Sequence, residues 1–311
     1  MSELARMSPW KTWFQSLRPF SFPASVMPVG VAAAVSYAMY AGGEIARPLW
    51  IALPFYAIAG VLFHAGTNVL NDYYDYLHGV DTEEDIDPTH LVPRGIVSAR
   101  FMLVTGHLYF GAGILMGTVI GVWRGPIFVI AGIAAATAAY FYTGARFSFK
   151  YVALGDPIVF LLMGPVMIAM GVWALTGTLA GEAVAVSIPL AFLVTAILHG
   201  NNLRDIESDK QQGVLTIAGL LGRTASRHVL AALLLAPFAA TAGIVAYGIV
   251  HPIAYITFPA LIPVAYLLRT VYSARDSAAL AGLPISCAKV HLVYSTLFIV
   301  ALLLEGYLFP I

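Results

Sequence analysis

Residues Asn68 to Asp87 read NVLNDYYDYLHGVDTEEDID, and they close an apolar run that starts near Trp50 and otherwise has the composition of a membrane helix. On a helix, Asn68 and Asp72 stand four apart, as do Asn71 and Asp75, so each pair shares a face. Asp81 follows beyond Gly79, with Glu83, Glu84, Asp85 and Asp87 behind it. Carboxylates gathered on one side repel one another unless a cation lies between them. Hard oxygen donors of this kind suit Mg²⁺, which takes one or two carboxylates and fills its shell with substrate phosphate and water.

A second stretch has the same form. His199 to Gly213, HGNNLRDIESDKQQG, also ends a long apolar run and sets Asp205 and Asp209 four apart. Asn201 and Asn202 precede the acids, while Arg204 and Lys210 add positive charge. Two acidic helix ends facing each other would hold metal ions and a diphosphate between them.

The rest of the chain points to lipid as the solvent. Its 311 residues are 60% hydrophobic and 10% charged, against about a quarter charged in soluble domains. Net charge is zero, which gives no argument for nucleic acid. The single cysteine, Cys287, excludes an internal disulfide and a cysteine zinc site, and reads as a thiol in a loop near a helix start. Residues 1–20 are basic and aromatic and resemble an interfacial anchor rather than a signal peptide. Nine runs are long and apolar enough to span a bilayer: 22–42, 48–71, 101–122, 126–145, 155–177, 184–204, 227–249, 252–272 and 288–309. Placing the N-terminus inside puts fourteen of the sixteen Lys and Arg residues on the inner side and leaves Arg47 and Arg124 outside. Both acidic stretches then face the cytoplasm, where diphosphates and Mg²⁺ are found, and the C-terminus lies outside the cell membrane. The chain reads as one domain, 1–311, with inner loops 72–100 and 205–226 placed to cap the site.

Asp72, Asp75, Asp205 and Asp209, with Asn71, are the expected catalytic group, because ionisable side chains at helix depth are expensive and usually functional. Solvated surface carboxylates are the bland alternative, and Glu83, Glu84, Asp85 and Asp87 fit it. The metal ligands expected are Asn71, Asp75, Asp81, Asp205 and Asp209. Arg94, Arg146, Lys150, Arg204 and Lys210 suit phosphate oxygens, with Asn68, Tyr142 and Asn202 as further substrate contacts. The positive-inside bias alone accounts for Arg223, Arg227, Arg269 and Arg275. Asp156 reads equally as the N-terminal partner of a helix or as a catalytic group. His64 and His199 read as hydrogen-bonded core histidines close to the proposed cavity.

The pairing of NDYYD with RDIESDKQQGVLTIAGLLG resembles the UbiA superfamily of intramembrane aromatic prenyltransferases. Asn71 and Asp75 match that family's first motif, and Asp205, Asp209, Gly213 and Thr216 its second. The usual first motif continues to another Asp four residues on, where this chain has Gly79 and offers Asp81 instead. The forms NDYYDYLHGVDT, SLRPFSFPASVMPVG and NNLRDIESD are similar to the menaquinone-type branch, the 1,4-dihydroxy-2-naphthoate polyprenyltransferases. The resemblance implies an all-α membrane protein of nine helices around a central cavity. It also implies Mg²⁺ between the acidic motifs and a polyprenyl diphosphate. The prenyl group would pass to dihydroxynaphthoate with loss of CO₂, giving demethylmenaquinone in its quinol form. No feature calls for an obligate protein partner. 4-Hydroxybenzoate is the alternative acceptor. A transporter is the alternative of a different class, and it is disfavoured because the acids gather at one membrane face rather than at the midplane.

Overall fold

The structure is a computed structural model that describes residues 13–14, 16–80, 91–144 and 148–309. Among them it is almost wholly helical, with one isolated parallel bridge, Val152 to Leu215, in place of any strand. Among the described residues, nine helices are long and apolar enough to cross a membrane. They are α1 Pro23–Ala41, α2 Ala52–Leu77, α3 Ala99–Arg124, α4 Pro126–Thr143 and α5 Gly155–Thr176. The remaining four are α6 Gly181–Arg204, α7 Ile217–Ala246, α8 Pro252–Ser273 and α9 Leu283–Leu308. A short helix, Ile206–Gln211, lies between α6 and α7.

Local sequence sets many of these ends. Pro23, Pro126 and Pro252 each open a helix, where the missing N–H costs nothing. Gly125, at φ 85°, turns the chain between α3 and α4 in a backbone region that L side chains avoid. Consecutive helices pack on one another and α9 returns against α1, so the bundle closes into a ring, with α6 the most enclosed span. Its largest apolar cluster joins α1, α5, α6, α7, α8 and α9, including Leu190, Leu193, Tyr294 and Phe298.

Three helices depart from the expected bounds. α2 runs on to Leu77, so Asp72 and Asp75 lie on the helix and not in the cap interval 72–100. α7 starts at Ile217 and bends at Gly222, φ 75°, which makes the later part of the interval 205–226 helical. α9 starts at Leu283, which places Cys287 inside the helix and fully buried rather than in a loop. Lys150 and Tyr151 hold the end of α2, and Arg223 ties the start of α7 to Glu207 and Ser277. The start of α9 sets Leu283 and Cys287 against Gly200 of α6. Hydropathy does not register these contacts.

α5 is interrupted by a wider turn, Leu162–Val166, containing Pro165. Proline has no N–H to continue the ladder, and the extra residue in the turn accommodates its ring. A Cβ at Gly164 would lie 2.4 Å from that of Ala191, so only glycine lets α5 approach α6 this closely. Leu162, Met163 and Val166 of this turn face the cavity described next.

Candidate active site

Asp75 is the centre of the site. It is 4% exposed, near the C-terminal end of α2. Its Oδ2 accepts from Lys150 Nζ at 2.5 Å and from Asn71 Nδ2 at 2.7 Å, and its Oδ1 accepts from Tyr151 OH at 2.5 Å. Asn71 Oδ1 in turn accepts from Lys150 Nζ at 2.9 Å and from Thr143 at 3.1 Å. A carboxylate this deep requires a cation and donated hydrogens, and the segment after α4 supplies both.

The adjacent face of α2 serves a different segment. Asp72 accepts from Arg18 Nη2 at 2.8 Å, and Asn68 donates to the Leu17 carbonyl at 3.0 Å. Arg18 sits at φ 54°, an uncommon backbone region for a side chain with a Cβ. There its carbonyl accepts from both Ser21 N, at 2.8 Å, and Ser21 Oγ, at 2.7 Å. Asp72 is thus committed to the segment before α1 and Asp75 to the segment after α4.

The second motif sits where α6 ends. Asp205 caps α6 and is held bidentately by Arg204 at 2.6 Å on each oxygen. Asp209 follows on the short helix. Burial and the neighbouring Asp205 push its carboxyl up to about 7, with Asp75 adding to the rise and Lys150 opposing it. Asp75 and Lys150 are thus near enough to Asp209 for their charges to act on it. Two hydrogen bonds tie the flanking segments together: the Gln212 side chain donates from Nε2 to the Val80 carbonyl at 2.6 Å, and Ala153 N donates to the Leu215 carbonyl at 2.8 Å. On the outer side of the short helix, Glu207 is bonded to Arg223 and Ser277, and the Arg223 guanidinium holds its carboxyl below the usual range.

Asp156 lies in the first turn of α5, but no side-chain cap bond forms there. It accepts from Asn202 at 3.2 Å and lies 2.7 Å from His199 Nδ1, while His199 Nε2 reaches the Ser226 carbonyl at 3.1 Å. These buried contacts tie α5, α6 and α7 together just beneath the second motif and orient Asn202. Below both motifs opens a cavity of about 280 Å³, bounded by α1, α2, α4, α5 and α6. Arg18, Asn68, Tyr142 and Asn201 line it among the polar groups, with Phe63, Met163 and Met167 among the apolar ones.

Of the expected site residues, Asn71, Asp75 and Lys150 are brought into direct contact, and Asp209 into electrostatic range of them. Asn68 and Tyr142 line the cavity, and Asn202 is bonded to Asp156. Arg94 and Lys210 are exposed. Asp81 and Arg146 lie outside the described residues. Among the described residues, no three His, Cys, Asp or Glu side chains form a metal cage. The acids instead form two half-sites, Asn71 with Asp75 and Asp205 with Asp209. The sequence reading missed Tyr151, Thr143 and the pairing of Arg18 with Asp72. Tyr151 was within reach, since it adjoins Lys150 in the same segment.

Comparison with known proteins agrees with this geometry. Residues 26–304 match the model of the UbiA prenyltransferase family. The human UbiA prenyltransferase domain-containing protein 1 is 30% identical over 95% of this chain and 86% of its own length. The Drosophila melanogaster homolog of that protein is 28% identical over 94% and 79%. Among solved structures, a UbiA homolog from Archaeoglobus fulgidus bound to GPP and Mg²⁺ superposes with a TM-score of 0.64 at 17% identity, covering 96% of this chain and 98% of that one. The apo UbiA homolog from Aeropyrum pernix K1 gives 0.67 at 17% identity, covering 92% and 97%. The chain is a multi-pass membrane protein and belongs to the UbiA prenyltransferase family.

Proposed function

We propose that this prenyltransferase moves a polyprenyl group from its diphosphate to 1,4-dihydroxy-2-naphthoate, with loss of CO₂, as a step of menaquinone biosynthesis. The observation that carries the reading is the placement of two acidic half-sites at the ends of α2 and α6, whose preceding turns line one apolar cavity through Asn68 and Asn201. A substrate with a diphosphate head and a hydrocarbon tail matches both parts. The A. fulgidus homolog was solved with such a substrate, GPP, and Mg²⁺.

The donor set fits Mg²⁺. Every candidate ligand is a hard oxygen, and the Asp209 carboxyl is pushed up to about 7 by burial and then by the neighbouring Asp205, a cost to its ionised form that a divalent cation would offset. Asn71, Asp75, Asp205 and Asp209 would hold it, and it would neutralise the charge that develops on the diphosphate as the allylic C–O bond breaks. Lys150 adds a fixed positive charge at the same place. Asp75 orients Lys150 and Tyr151 toward the gap between the motifs. The apolar cavity wall excludes water that would otherwise capture the allylic cation. Arg18, on the cavity wall, offers a cation for the acceptor's carboxylate. The naphthoate acceptor is further supported by NDYYDYLHGVDT and NNLRDIESD. With the N-terminus inside, the positive-inside bias puts this chemistry at the cytoplasmic face.

A product assay on the purified chain tests the reading. It supplies a polyprenyl diphosphate and Mg²⁺, with dihydroxynaphthoate and 4-hydroxybenzoate offered in parallel and an EDTA control. Prenylated, decarboxylated naphthol that disappears with EDTA is the expected product. Prenylated hydroxybenzoate alone would keep the chemistry and overturn the acceptor.

A further inference from the structure

His64 lines the cavity, yet the diphosphate chemistry gives it no task. It stands on α2 four residues before Asn68 and seven before Asn71, about 10 Å along the helix from the acidic motif at ~1.5 Å per residue. Hydroxyls from the start of the chain engage both its ring nitrogens. Ser21 Oγ is 2.8 Å from Nε2, and Ser25 Oγ is 2.6 Å from Nδ1.

Counting hydrogens fixes the tautomer. The Ser21 hydroxyl gives its single hydrogen to the Arg18 carbonyl, so toward His64 it accepts, and Nε2 carries the ring hydrogen. Nδ1 is then a bare lone pair, and the Ser25 hydroxyl donates to it. Ser25 keeps its own lone pairs for a donor in the cavity. Serine, imidazole, serine and carbonyl form a directed chain that starts at the cavity surface. The charged groups beside it are Arg18 and its partner Asp72. α4, α5 and α6 contribute only uncharged side chains to the cavity wall.

We propose that Ser25 and His64 are the acceptor's proton relay: an acceptor ring hydroxyl donates to Ser25 Oγ, and its proton passes through that oxygen to His64 Nδ1. This rests on the aromatic-acceptor reading above. The electron pair of the ring carbon beside the hydroxyl forms the bond to the allylic carbon, and diphosphate leaves with the C–O pair. The positive charge moves onto the ring, its hydroxyl becomes strongly acidic, and the O–H pair becomes a carbonyl as the proton reaches Nδ1. The imidazolium keeps its Nε2–H on Ser21 Oγ, whose hydrogen points to the Arg18 carbonyl, and its charge is transient. If the attacked carbon then loses CO₂, the freed pair restores the ring and the relay returns the proton to oxygen. If it loses H⁺ instead, one proton goes to solvent.

The test compares wild type, His64→Gln and Ser25→Ala as purified full chains, measuring thermal unfolding, affinity for prenyl diphosphate with Mg²⁺, and transfer to dihydroxynaphthoate at saturation. Both variants are expected to keep the diphosphate affinity. His64→Gln should lose about a hundredfold or more in kcat, the scale of one acid–base group. Ser25→Ala should lose about tenfold in kcat and raise the acceptor KM. Above pH 8, transfer by His64→Gln should climb as the acceptor hydroxyl ionises in solution and no longer needs a base, while wild type stays flat. A His64→Gln rate within about threefold of wild type overturns the relay. So does a loss that high pH does not recover, or one that tracks a lowered Tm or weakened diphosphate binding, since each marks packing. If His64→Gln does not fold, Ser25→Ala decides by the same readouts, because the imidazole remains in place. Wild type that prenylates no aromatic acceptor fails the parent reading, and active wild type with unaffected variants fails the relay alone.

Discussion

Asp75 and Lys150 form a lopsided pair, and substitution should expose the asymmetry. The carboxylate is 5% exposed and the lysine 21%. Removing the ammonium leaves a buried charge, whereas neutralising the acid leaves an ammonium that still reaches water. Lys150→Met should therefore cost more stability than Asp75→Asn, by about 1–3 kcal/mol, the range for an abandoned buried polar group. Thermal unfolding in detergent measures both, and an equal or reversed order would remove Lys150 as the group that compensates Asp75. Asp209 gives a pH dependence of known sign. In the cation-free protein its carboxyl titrates near 7, above the usual carboxylate range. The folded chain thus binds more protons than the unfolded one between about 4 and 7, and stability from this group falls as pH rises through that window. Cation binding needs the ionised form. Mg²⁺ affinity should rise with pH to about 7 and then level off, with close to one proton released per ion at pH 6. Calorimetry in two buffers of different ionisation enthalpy reads that proton, and Asp209→Asn should abolish it. Affinity that is flat from pH 5.5 to 8 would mean that Asp209 does not meet the metal.

α5 and α6 approach because Gly164 has no side chain, and this contact shapes one cavity wall. Gly164→Ala should destabilise the bundle by about 1–3 kcal/mol, the usual cost of forced overpacking. Gly117→Ala is the control: its new Cβ would meet nothing within 4 Å, and alanine favours helix by about 1 kcal/mol. A Tm that falls in the first and holds or rises in the second supports the close contact; similar values for both would place α5 farther from α6. The same elements show what the amino-acid order reveals. Apolar length alone locates all nine spans, since each must fill the bilayer with its backbone satisfied internally. Their ends near the site are less legible. The last turns of α2 are polar, the first turns of α7 hold Gly219 and Gly222, and α9 has Pro284 in its first turn. They stay helical because partners distant in sequence hold them, as Lys150 and Tyr151 hold the end of α2.

Across the whole molecule, the site is assembled from segments that no short motif joins. Asp72 meets Arg18 across 54 positions, Asp75 meets Lys150 across 75, and Gln212 reaches Val80 across 132. The motifs were legible as charge in an apolar chain, and these pairings were not, because bundle closure alone brings them together. Closure also puts both motifs and their loops at one end of the bundle, and the orientation of that end is a separate electrostatic matter. Fourteen cationic side chains against two is a large asymmetry for a chain of zero net charge. It predicts that the loop between α8 and α9 faces the cytoplasm with the site, and that the loop between α1 and α2 faces out. The only native thiol, Cys287, is fully buried, which leaves a quiet background for labelling. Ala46→Cys and Arg275→Cys each put one thiol on an exposed position of those two loops. In right-side-out vesicles an impermeant maleimide should label the first and spare the second until the membrane is opened. Inverted vesicles should give the opposite pattern. Labelling of Arg275→Cys from outside would turn the bundle over and move the acidic half-sites to the face opposite the cytoplasm, leaving the positive-inside count without its usual meaning in this chain.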